Sequence, residues 1–194
     1  GTGWNDAELT PANPVDDVSF VLALIDRLDA TLNIDRKRVY AGGFSNGGQM
    51  CHWLTGHTTN IFAAVAAVCS AVAGDRGTGV LITNPPPTGP IPALIVNATN
   101  DCERPYWGGT NDGGSLQPPA AASAAFYTNA DLCASLSAVH TNAFVAPNGS
   151  IGRFNECPTN HPNGLITNLV IREYYQLTCT PGTEVQFVTL TDGG

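Results

Sequence analysis

The segment Gly43-Phe44-Ser45-Asn46-Gly47 does more than any other to limit what this chain can become. Residues 38–42, Arg-Val-Tyr-Ala-Gly, precede it and read as a short buried strand. Residues 48–54 follow it and read as a helix that ends near Gly56. Between a strand and a helix, the G-x-S-x-G pattern forms a sharp turn that holds its serine in strained backbone geometry. The flanking glycines remove side chains that would collide with the adjoining helix and strand. The Ser45 hydroxyl then stands at the carboxyl edge of a sheet and at a helix N-terminus. There the helix supplies positive potential, and the Asn46 N–H can receive an oxyanion. The glycines do not make a phosphate loop, because no lysine follows them and the pattern is not G-x-G-x-x-G.

The rest of the chain alternates strand and helix patterns. Asn13 reads as an N-cap and Pro14 as the first helical residue, with Asp16 and Asp17 at the positive end of the dipole. Val18, Val21, Leu22, Ile25 and Leu28 then recur at helical spacing. Residues 61–68 are a small-apolar run that fits a strand buried on both faces. Residues 91–98 read as the next strand and 184–190 as the last. Residues 81–90 and 108–119 read as loops, and 120–136 as a helix. Residues 140–164 read as an irregular excursion rich in Asn, Pro and Gly, and 165–175 as a helix. This order implies parallel strands in an α/β layer structure. Residues 1–194 show no internal repeat and no second domain.

Composition excludes several functions. The net charge is -8, and Lys37 is the sole lysine. Nucleic-acid binding needs a basic face to displace counterions, so no nucleic-acid partner is expected. An anionic membrane surface is disfavoured for the same reason, and no apolar run reaches the ~20 residues that cross a bilayer. Six cysteines in an acidic, lysine-poor chain point to an oxidising compartment, hence secretion. They contain no C-x-x-C pair, so no metal centre is expected. Gly1-Thr2-Gly3-Trp4 carries neither a basic n-region nor an apolar core, and there is no initiating Met. Processing or truncation is the reading.

A serine needs a base, and the base needs an orienting carboxylate. Asp101 ends the strand 91–98, where α/β folds place active residues; a simpler role is to terminate the strand or cap a turn. Glu103 is the next candidate, and Asp112 sits in an Asn-Asp-Gly-Gly turn. Among the four histidines, His52 and His57 lie on or just beyond the elbow helix, and His52 would point away from the strand tips and reads as core or surface packing. The order serine, acid, histidine leaves His140 and His161, both in the irregular segment, where an ordinary surface histidine is the plainer reading. Tyr106 and Trp107 fit either a sugar-stacking surface or core packing.

Several stretches carry a resemblance. Val15-Asp16-Asp17-Val18-Ser19-Phe20, Asp35-Arg36-Lys37-Arg38-Val39-Tyr40 and Gly43-Phe44-Ser45-Asn46-Gly47-Gly48 resemble the secreted poly(3-hydroxybutyrate) depolymerase family. That family also holds feruloyl and acetylxylan esterases. Asn100-Asp101 with Pro105-Tyr106-Trp107-Gly108-Gly109, and Pro181-Gly182-Thr183-Glu184-Val185 with Asp192-Gly193-Gly194, fit it too. Asn97-Ala98-Thr99-Asn100-Asp101 departs mildly from the family's His-Gly-Thr-Ala-Asp stretch.

The resemblance implies an α/β-hydrolase fold, here the C-terminal half of a mostly parallel sheet with flanking helices. It implies Ser45 as nucleophile, Asp101 as triad acid and the Asn46 N–H as oxyanion donor. Trp107 is a candidate substrate contact, and no cofactor is implied. The substrate would be a polyhydroxyalkanoate or a feruloyl or acetyl ester of the plant cell wall. In the family the triad histidine directly follows the glycines after the last strand, so it is expected after Gly194. Strands and a His-Gly-type loop are expected before Gly1. The chain is therefore expected to be an inactive internal fragment with strand 38–42 as an open edge. The four strands should lie side by side in sequence order. A Cys69–Cys102 bond would brace the loop of Asp101 between neighbouring strands. The resemblance suggests Cys133 with Cys179 and leaves Cys51 and Cys157 unpaired. Rival readings are a peptidase or acyltransferase on the same fold, and a non-enzymatic carbohydrate- or polymer-binding module.

Overall fold

The computed structural model describes residues 3–6, 15–75, 79–99, 101–111, 113–133, 136–145, 168–176, 179 and 182–192. Its first helix is α1 (Asp17–Leu32). The cap is Asp16, not Asn13, because its carboxylate accepts from the Ser19 amide at 3.0 Å and the Ser19 hydroxyl at 2.6 Å. Asn13 and Pro14 lie outside the described residues. Asn33 ends the helix in the left-handed region, donating its amide to the Asp29 carbonyl at 2.8 Å.

The main sheet has six strands. They are β1 (Tyr40–Phe44), β2 (Ala64–Val68), β5 (Ala93–Ala98), β8 (Leu136–Val145), β9 (Asn168–Gln176) and β10 (Val185–Asp192). Two short hairpins, β3 (Ala73–Asp75) with β4 (Leu81–Thr83) and β6 (Gly109–Thr110) with β7 (Leu116–Gln117), interrupt the expected loops. Helix α2 (Asn46–His57) joins β1 to β2, and α3 (Ala120–Ala130) precedes β8. The strand order is β1-β2-β5-β10-β9-β8. The first four are parallel and stand in sequence order as expected. β9 and β8 extend the sheet antiparallel.

Two expectations fail here. Residues 165–175 were expected as a helix, but β9 pairs along β10 from Gln186↔Tyr175 to Asp192↔Leu169. The segment Leu-Val-Ile-Arg-Glu-Tyr-Tyr is rich in β-branched and aromatic residues, and a paired strand position outweighs a chance helical spacing. The excursion at 140–164 likewise begins inside β8.

The core lies between β2, β5, β10 and α3. Val65, Ala67, Ile91, Ala93, Ile95, Tyr127 and Val185 form one buried cluster. β2 alternates buried and half-buried positions instead of being sealed on both faces. Among the described residues β1 is a sheet edge. Tyr40 and Phe44 on it, and Phe20, Leu24 and Leu32 on α1, are exposed. An edge strand with apolar surface around it is prone to association. No helix among the described residues is long and apolar enough to cross a membrane.

Candidate active site

Ser45 sits between β1 and α2 with φ 54° and ψ -121°. A side-chain-bearing residue at positive φ pays steric strain, which persists only where the surroundings hold it. They do so here in two ways. The Ser45 amide donates to the Val68 carbonyl at the end of β2 at 2.9 Å, and the Ser45 carbonyl accepts from the Gln49 amide at 3.0 Å. The glycines make the turn sterically possible. A Cβ on Gly43 would lie 2.2 Å from the Gly47 carbonyl carbon, and one on Gly48 would lie 2.6 Å from the Ser70 hydroxyl. Gly47 has open space around it, so the close approaches belong to Gly43 and Gly48.

Helix α2 starts one residue after Ser45, so the Asn46 N–H is among the first-turn amides that lack an intrahelical acceptor. The Asn46 side chain is anchored: its Nδ2 donates to Asp6 at 2.5 Å, and its Oδ1 accepts from the Trp4 amide at 2.9 Å. Asp6 is fully buried. The sequence singled out Asn46 for its amide but gave no sign of this side-chain anchor, whose partner lies 40 residues away.

Asp101 follows β5, whose Val96 is level with Val68 of β2, itself level with Phe44 of β1. The parallel register therefore brings the segments after β1, β2 and β5 to one sheet edge. β10 ends at the same edge, since Leu190 is level with Ala98 and its carbonyl accepts from the Thr99 amide at 2.9 Å. The Asp101 carboxylate accepts from the amides of Glu103 at 2.9 Å and Arg104 at 2.8 Å, so it does cap its own turn. That cap also fixes the carboxylate at the edge.

Cys69, the residue after β2, faces the same carboxylate. It is 6% exposed and adopts φ 47°. Burial, and then the neighbouring Asp101 carboxylate, push its thiol up to about 11, so it stays protonated as a donor. Cys69 is a free thiol, which corrects the expected Cys69–Cys102 bond. The two strands are neighbours, but the Cys69 side chain is engaged with Asp101. Cys102 is disulfide-bonded, and Cys157 lies outside the described residues. Cys133 pairs with Cys179 as the resemblance implied, and Cys51 is free and buried.

None of the described histidine positions brings an imidazole to Ser45. His52 is fully buried, with Nδ1 2.8 Å from the Tyr127 hydroxyl and Nε2 3.3 Å from the Ser70 hydroxyl. Burial pushes its pKa down to about 3, so it is a neutral core residue. His57 ends α2, roughly 18 Å along the axis from Ser45, and its Nδ1 bonds the Trp53 carbonyl at 2.8 Å. His140 lies on β8, level with Glu173 of β9. That is five strands from β1, roughly 24 Å across the sheet. His161 lies outside the described residues.

Trp107 is 79% exposed, which rules out the core-packing alternative for it. It stands edge-on to Tyr106, which stacks on Phe187 and shares a 2.7 Å hydrogen bond with Thr189 of β10. The indole is thus an exposed ring on a braced aromatic base. Among the described residues there is no cluster of His, Cys, Asp and Glu able to hold a metal ion.

Comparison with known proteins agrees with this architecture. The model of the prolyl oligopeptidase family matches residues 1–74, a stretch that contains the Ser45 elbow. The chain is also 37% identical over 114 residues to a protein of Nocardia uniformis subsp. tsuyamanensis described as a putative esterase, NocK. That match covers 55% of this chain and 30% of the relative, so most of the relative lies outside it. Strand order, elbow and these likenesses together make this an α/β-hydrolase fold.

Proposed function

We propose that the protein is a serine carboxylic ester hydrolase working through an acyl-enzyme. The observation that carries this reading is Ser45 at φ 54° and ψ -121° in a strand–turn–helix, pinned to the next strand. A serine without a role has no reason to occupy a strained position that close approaches at Gly43 and Gly48 must accommodate. Ser45 Oγ attacks the ester carbonyl, and a base takes its proton. The Asn46 N–H stabilises the oxyanion, the alcohol leaves with the proton, and water releases the acyl group. Asp101 orients the base. The base is an imidazole brought to the edge where β5 and β10 end, a place that His52 and His57 do not reach.

The acyl group is that of a polyhydroxyalkanoate or a feruloyl or acetyl cell-wall ester, with Trp107 stacking on the polymer. The Cys133–Cys179 disulfide supports action outside the cell. The match of residues 1–74 to the prolyl oligopeptidase family favours a second reading, a peptidase on the same scaffold. Hydrolysis assays on p-nitrophenyl acetate and on peptide p-nitroanilides separate the two. The full-length protein is expected to cleave the ester and to lose activity in Ser45→Ala. Robust turnover of the anilides without ester hydrolysis would replace the esterase reading by the peptidase one. Ester hydrolysis that survives Ser45→Ala would overturn both.

A further inference from the structure

The turn that carries Asp101 is tied to the helix that carries Ser45 by a buried side-chain pair. Arg104 is 9% exposed and Gln49 is 2% exposed. Arg104 Nη2 donates to Gln49 Oε1 at 2.7 Å, and its Nη1 donates to the Glu103 carbonyl at 3.0 Å. At one end of this link the Arg104 amide donates to Asp101 Oδ1 at 2.8 Å. At the other, the Gln49 amide donates to the Ser45 carbonyl at 3.0 Å. Three hydrogen bonds therefore run from the candidate nucleophile to the candidate acid without passing through the sheet.

The orientation of the Gln49 amide is informative. Its Oε1 faces the guanidinium, and its Nε2 is buried without a hydrogen-bond partner among the described residues. Flipping the amide would set donor against donor. A buried donor left without a partner is destabilising. A leucine or methionine would fill the space without that cost. The pair is therefore poorly explained as core packing and well explained as a strut.

We propose that Arg104, acting through Gln49, is a positioning residue that sets the distance between Asp101 and Ser45. The inference rests on the esterase reading above. Misplacing a catalytic group by about 1 Å costs on the order of 10²-fold in rate, so the strut governs kcat more than substrate binding.

The test uses the full-length protein with p-nitrophenyl acetate. Arg104→Met and Gln49→Met are expected to lower kcat by about 10²-fold and leave KM within about twofold. Both should shift the limb of the pH profile of kcat/KM that reports the base, because its acid is no longer held in place. Arg104→Lys, which keeps a donor, should recover part of kcat. The double variant should be no worse than either single one, since both break the same link. If Arg104→Met does not fold, Gln49→Met carries the same expectation, because it preserves volume and removes the orphaned donor. Unchanged kcat in folded Gln49→Met, or fully additive losses, would overturn the strut while leaving the esterase reading intact. A wild-type protein without Ser45-dependent ester hydrolysis would overturn both.

Discussion

The Ser45 amide donates to the Val68 carbonyl at 2.9 Å, which locks the strained turn after β1 to the end of β2. The candidate nucleophile therefore cannot relax without breaking a contact between neighbouring strands. Its geometry becomes part of the sheet, not of a free loop.

The glycines of this turn should respond to substitution in opposite ways. In Gly43→Ala the new methyl meets the backbone of Gly47 at 2.2–2.3 Å, so the strand–helix packing must open. The expected loss is more than about 2 kcal/mol. Gly47→Ala meets nothing within 4 Å inside α2 and should be neutral or stabilising by up to about 1 kcal/mol. Urea midpoints of the two variants check this, and equal shifts would speak against the close approach at Gly43.

His52 should make the protein sensitive to acid. Its pKa falls from 6.5 in the unfolded chain to about 3 in the fold, because burial disfavours the charged ring. The folded state therefore resists a proton that the unfolded state takes up. Stability is full above pH 6.5 and falls as pH drops towards 3, by on the order of several kcal/mol. The Tyr127 and Ser70 hydroxyls face the two ring nitrogens, and Thr55 hydrogen-bonds the Tyr127 hydroxyl behind them. His52→Gln should flatten the dependence in pH-resolved denaturation. An unchanged acid slope in that variant would show that other groups set it.

The thiols of Cys51 and Cys69 should be inert in the native protein. Each is pushed up from 9.0 to about 11, chiefly by burial. At pH 8 a thiol of that pKa is only about 0.1% thiolate. Iodoacetamide should label both residues only after denaturation, as read by peptide mass spectrometry. The contribution of these thiols to stability is present below pH 9 and is lost as pH rises towards 11. Rapid native labelling of Cys69 would mean that its thiol is not held against Asp101.

Trp107→Ala should leave stability unchanged, since the ring is largely exposed. In the full-length protein it should raise KM for a polymeric ester about three- to tenfold with little change in kcat, the worth of one lost aromatic contact. Steady-state kinetics on polymeric and small esters check this. An equal effect on p-nitrophenyl acetate would point away from polymer stacking.

The elbow and the order of the four parallel strands were legible because each rests on local chemistry. Gly43 announces a close backbone approach, although the second approach falls at Gly48 and not at the flanking Gly47, and short apolar runs announce buried strands. What the sequence hid depends on distant partners. β9 is a strand because β10 and β8 flank it, and its own spacing also fits a helix. Asp16 caps α1 because Ser19 lies three residues on, a pairing that competes in the sequence with Asn13 and Pro14. Cys69 and Cys102 follow adjacent strands, yet the positive φ of Cys69 and its contact with Asp101 give the thiol another role. The Gln49–Arg104 pair spans 55 residues and leaves no local pattern at all.

If Ser45 is an activated nucleophile, it can be trapped covalently. The full-length protein is treated with a fluorophosphonate and digested, and the modified peptide is identified by mass spectrometry. One adduct is expected, on the peptide that contains Ser45. It should be absent in Ser45→Ala and strongly slowed in Asp101→Asn. An active protein that carries no adduct on Ser45, or carries it on another serine, would contradict the assignment.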